Sequence, residues 1–123
     1  MRTIPVTPAY PEQTQRVELD GVAYQMRIYW TQFDEQIKEA IGTTDDGKWY
    51  MDLSSDDITL NGIALVGGAN LLAPYAYNQL GGLIVVDSEL KYANPTYDGL
   101  GDRFQLIYVT RAEYEEFLAN DAL

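Results

Sequence analysis

The residues of this chain that could do chemistry are almost all carboxylates and phenols. Acidic pairs stand at Asp45-Asp46 and Asp56-Asp57, and a third acidic stretch runs Asp98-Gly99-Leu100-Gly101-Asp102. Gathered in space, such oxygens could hold calcium. Their spacing does not follow the helix–loop–helix calcium loop, and acidic residues in turns are ordinarily just solvated. Two carboxylates flanking a glycosidic bond could run sugar hydrolysis. With 19 Asp and Glu residues among 123, some pair always lies close, so that signal discriminates little. The ten tyrosines could stack sugars or bases. Tyrosine in strands is more often half-buried with its hydroxyl in water, and it is enriched at protein interfaces. Gly67-Gly68 and Gly81-Gly82 lack the lysine and the strand-to-helix setting of a phosphate loop.

Two residue types are missing altogether. Without cysteine there is no disulfide, no thiolate and no cysteine metal site, and nothing marks the redox compartment. Without histidine the commonest general base and the commonest transition-metal ligand are gone. The balance of 8 basic against 19 acidic residues gives a net charge of -11. That sign argues against nucleic-acid and anionic-membrane binding, both of which rely on Lys and Arg. An acidic surface could still serve beside DNA by letting the duplex slide past; the plainer reading is solubility. No apolar run approaches the roughly 20 residues of a membrane-spanning helix. The N-terminus lacks the apolar core of a secretory signal, so synthesis and use without Sec export are expected.

The elements that must position these residues read mainly as β. The most informative stretch is Gly81 to Thr110. Leu83-Ile84-Val85-Val86 and Arg103 to Thr110 are short, β-branched or aromatic, and bounded by turn residues. Both are apolar on both faces, so both are expected to be covered on two sides. Pro5, Pro8 and Pro11 predict an extended arm over residues 1–15, with at most one edge strand. Asp20-Gly21 predicts a tight turn joining 16–19 to 22–30. In the second of these, Val22, Tyr24, Met26, Ile28 and Trp30 share a face. Phe33, Ile37 and Ile41 then recur every fourth residue, predicting a short helix over about 34–40, with Thr31 as a possible cap and Gly42 closing it. Lys48 to Leu53 alternates as a strand. Asn61-Gly62 reads as a bulge in one bent strand from Ile58 to Val66 rather than as a hairpin turn. Leu71 and Leu72 anchor the loop after it. Thr110-Arg111-Ala112-Glu113 has the form of a capping box opening a C-terminal helix over about 111–119, with Tyr114, Phe117 and Leu118 on one stripe. The expected fold is a small antiparallel barrel or sandwich with one helix inserted in a hairpin and one at the C-terminus. After the arm, residues 16–123 form a single domain by length.

The order of these segments resembles the small baseplate plug proteins of contractile-tailed phages. The resemblance rests on Leu19-Asp20-Gly21, Tyr24 to Trp30, Trp49-Tyr50-Met51-Asp52-Leu53, Gly62 to Val66, Asn70-Leu71-Leu72, Gly81 to Val86, Pro95 to Gly101 and Leu106 to Val109. It covers roughly residues 16–110, and no single motif within it is specific. It implies a structural role in the virion: a β domain at the baseplate axis that plugs or lines the central channel at the hub and tail tube. Release or opening on contraction goes with that role. It implies no enzyme, no catalytic residue, no metal and no cofactor. The partners it implies are hub, tail tube or spike proteins, together with the tape measure protein, in copies set by the tail's symmetry and made in the host cytoplasm. Relative to the family, the segment from about Thr31 to Gly47 is extra, and the C-terminal helix is a second addition. Phe33, Ile37, Ile41, Leu71, Leu72, Tyr75, Tyr77 and Tyr97 are the candidate partner contacts. A carbohydrate-binding β-sandwich using surface Tyr and Trp is the alternative, and a carboxylate-pair enzyme comes third.

Overall fold

The Asp20-Gly21 turn shows how closely local chemistry sets this fold. Both residues have positive φ, 51° and 80°, as a two-residue hairpin turn requires. They join β2 (Glu12–Leu19) to β3 (Val22–Gln32) in a full antiparallel ladder from Leu19↔Val22 to Glu12↔Tyr29. The hairpin strand therefore starts at Glu12, four residues earlier than its apolar pattern shows. The computed structural model describes residues 2–56, 58–67, 70–73, 80–91 and 93–121, the last five by backbone alone.

Two antiparallel sheets make up the body. One has the order β2-β3-β4-β5, with β4 at Gly47–Ser54 and β5 at Thr59–Ala64. The other has the order β1-β7-β6, from Arg2–Ile4, Phe104–Val109 and Gly82–Asp87. The segment between β1 and β2 is the corner from one sheet to the other, and Pro5, Pro8 and Pro11 sit in it. A proline there removes no ladder donor. Gln13 bonds both the amide and the carbonyl of Thr7, and Gln15 donates to the Pro5 carbonyl. Ile4 is 1% exposed, so the short first strand is anchored to the core by this one side chain while Arg2 and Thr3 stay exposed.

Inward residues of the two sheets meet in one cluster. Val17, Leu19, Tyr24, Met26, Ile28, Trp49, Met51 and Leu53 come from one side. Ile4, Leu83, Val85, Phe104, Leu106 and Tyr108 come from the other, with Leu71, Leu72 and Leu100 closing the ends. This is the sandwich of the two expected architectures. Trp49 and Leu106 are fully buried in it, and Trp30 packs against it from the side.

The expectation of two-sided coverage for β6 and β7 fails. Their inward residues are buried, but Ile84, Ile107 and Val109 are half-buried and Val86 is 39% exposed. The strands alternate; the second face is apolar in sequence without being deep in the interior. β5 is one strand, as expected. Leu60 faces Leu53 and Ile63 faces Met51, so Asn61 and Gly62 together oppose Asp52. Gly62 takes φ 69° and its amide donates to Asp52 Oδ1 at 2.8 Å, which fixes the bulge.

The two helices are set by their caps. α1 (Glu35–Ile41) sits between β3 and β4. Its cap is Asp34 rather than Thr31, with Ile37 N donating to Asp34 Oδ1 at 2.8 Å, and Gly42 closes it at φ 72°. α2 spans Arg111–Asp121. Its capping box is reciprocal: Thr110 N donates to Glu113 Oε1, and Glu113 N to Thr110 Oγ1. Asp20 then ties α2 to the β2–β3 turn, accepting from Arg111 N and from the Tyr108 hydroxyl.

Candidate functional site

Three aromatic rings cluster where the segment carrying α1 meets the β6–β7 connection. Trp30 and Trp49 face each other across β3 and β4, with ring centres 5.4 Å apart, edge to face. Tyr97 stacks on Trp49 at 5.3 Å and meets Trp30 edge-on at 5.4 Å. The loop bearing Tyr97 is pinned. Trp49 Nε1 donates to the Thr96 carbonyl at 3.0 Å, and Gly99 N donates to Thr96 Oγ1. Gly47 lets Trp30 lie flat: a Cβ there would overlap the Trp30 ring and the Thr31 carbonyl.

A cleft of about 490 Å³ opens beside this cluster. Trp30 and Tyr97 form its apolar wall, and Asp45, Asp46 and Asp98 supply carboxylates. Asp46 is bound by Lys38 at 2.8 Å, and that hydrogen bond holds its carboxyl below the usual range. Asp45 and Asp98 are exposed and have no ion-pair partner among the described residues.

The structure separates the two acidic pairs. Asp45-Asp46 precedes β4 and Asp56 follows it, so the eight-residue strand holds them about 25 Å apart. Asp57 lies outside the described residues. Among those described, no three acidic side chains gather as a metal site would need. Asp98 lines one cleft with Asp45 and Asp46 instead, an association across about 50 residues that spacing does not reveal.

The candidate contacts fall in three settings. Ile37 and Ile41 are exposed on α1, at 40% and 58%. Phe33, Leu71 and Leu72 are buried within the chain, and Tyr97 is half-buried in the ring cluster. Tyr75 and Tyr77 lie outside the described residues. Sequence reasoning passed over the exposed side chains of Tyr10, Val22, Val86 and Leu90, the last 76% exposed at positive φ in a turn after β6. Leu90 is a single apolar residue between Glu89 and Lys91 that no periodicity marks, whereas Val22 and Val86 belong to strand patterns whose periodicity points them at a covered face.

Elsewhere, buried and half-buried charge is spent on holding loops. Arg103 makes a two-pronged bond to Asp87, at 2.8 and 2.9 Å, and reaches Glu89 at 2.6 Å. Asp87 also accepts from the amides of Glu89 and Lys91, and its carboxyl lies well below the usual range, chiefly through Arg103. Arg27 lies 4.2 Å over the Tyr29 ring and bonds Glu12 and Asp52. These units brace strands and turns, and none combines a nucleophile with a base.

A family model described as cyanophage baseplate Pam3 plug gp18 matches residues 1–112. The chain belongs to this family. It is a phage baseplate plug component, a structural part of the virion tail that works by contact with other baseplate or tail proteins. No curated protein matches the sequence. The matched span includes α1 and both sheets and stops at the first turn of α2.

Proposed function

We propose that this baseplate plug domain closes or lines the central channel at the hub and tail tube, and is released or opened when the tail contracts. The observation that carries the reading is the family match over residues 1–112. A sandwich with its buried charges committed to internal bonds suits a part that fits rather than reacts. Its neighbours on this reading are hub, tube or spike proteins and the tape measure protein, in copies set by the tail's symmetry. The domain is made in the host cytoplasm and assembled without an enzymatic step. Ile37, Ile41 and Tyr97 are the contacts open to a neighbour, and the net charge of -11 keeps DNA from adhering in the channel.

Release suits many modest contacts rather than one deep anchor, since small terms can be lost together. Purified particles before and after contraction test this. The chain should be present at the axis before contraction and displaced or lost after it. Particles that hold it equally, in one position, in both states would defeat the release step. The ring-lined cleft favours one other reading, a sugar-binding module. Glycan binding by the isolated chain, quenched by Trp30→Ala, would support that instead.

A further inference from the structure

Two arginines in this chain share one arrangement. Arg27 lies 4.2 Å over Tyr29 with Glu12 and Asp52 as its carboxylates. Arg103 lies 4.7 Å over Phe104 with Asp87 and Glu89. A ring supplies the negative face, two carboxylates supply the opposite charge, and the flat guanidinium satisfies both at once. The cleft beside the aromatic cluster has the same parts. Trp30 and Tyr97 are its rings, Asp45 and Asp98 its carboxylates, and neither carboxylate is ion-paired among the described residues. Lys38, which reaches the lining residue Asp46, is engaged with it and with Glu35.

We propose that this cleft receives an arginine side chain from a neighbouring baseplate protein, with Asp45 and Asp98 binding the guanidinium against the Trp30–Tyr97 wall. Charge complementarity names the partner: a chain of net charge -11 docks most readily on a basic segment. The walls come from two places far apart in sequence, the end of the α1 insertion and the 94–98 loop. The second wall is held by the Trp49–Thr96 bond, so the cleft is formed before the partner arrives. The site rests on the baseplate reading for its partner, though its chemistry can be tested on the isolated chain.

The probe is the capped tripeptide Gly-Arg-Gly, titrated against the ¹⁵N-labelled chain while the two tryptophan indole signals are followed. The Trp30 signal should move saturably and that of buried Trp49 less. The same peptide with citrulline for arginine, which keeps the shape without the charge, should not saturate. Asp45→Asn and Asp98→Asn change exposed residues and leave the core intact. Each should weaken binding about two- to fivefold, with the loss shrinking at high salt. Equal response to the citrulline peptide, no response to either peptide, or a response to chito-oligosaccharide alone would overturn the proposal. None of those results would touch the baseplate role, which particle composition decides separately.

Discussion

Asp87 accepts two bonds from the Arg103 guanidinium and one each from the amides of Glu89 and Lys91, with its side chain 1% exposed. Its depressed carboxyl gives the fold a pH dependence whose sign is fixed. A group acidified by folding adds stability that is fully present above its unfolded value of about 3.9 and is lost as pH falls through the folded value. The gap in melting temperature between the native chain and Asp87→Asn should therefore hold steady from neutral pH to about 4 and narrow only below that. A gap that closed between neutral pH and about 5 would show that some other group is responsible. Burial sets a second contrast. Leu106 is fully buried, so Leu106→Ala should cost about 2–5 kcal/mol in chemical denaturation. Ile41 is 58% exposed, so Ile41→Ala should stay within about 0.5 kcal/mol.

At the scale of elements, the strands were legible wherever one face met the core and the other met water. Val22 to Trp30 alternates in sequence, and its even-numbered members from Tyr24 to Ile28 are buried. The Asp-Gly turn, the Asn-Gly bulge and the Thr110–Glu113 box could be read because each depends on chemistry within four residues. What stayed hidden depends on distance. The outer face of β6 and β7 is apolar, and sequence alone cannot show whether another layer covers it. The cleft joins Asp45 to Asp98, which only the packing of the 94–98 loop on Trp49 brings together. The cap of α1 lies three residues after Thr31, at Asp34, the better capping type, because β3 runs on to Gln32 and keeps Thr31 in the ladder.

Three substitutions test these elements. Gly62 sits at φ 69° with open space around its Cβ position, so Gly62→Ala should cost about 1–2 kcal/mol through backbone strain alone. Gly47→Ala has no such strain but meets the Trp30 ring and a backbone oxygen, so it should also disturb the near-ultraviolet tryptophan signal. Asp34→Ala should remove about 0.5–2 kcal/mol from α1 and speed exchange of the Ile37 amide, leaving the sheets unchanged. Uniform loss of protection across β3 and β4 would mean that α1 is built into the core rather than standing on it.

For the whole molecule, the central claim is that this sandwich is a plug part whose work is done by its surface against neighbours. Interior variants such as Leu106→Ala should lower the amount of folded chain available. Surface variants such as Ile41→Ala should leave folding intact and lower only its retention in particles. The most direct measurement is a reconstruction of the assembled baseplate before contraction. The account predicts density for both sheets at the channel axis, with the α1 insertion and the Trp30–Tyr97 cleft turned towards neighbouring proteins. Assembled, infectious particles with the axis filled by other proteins and this chain absent would contradict it.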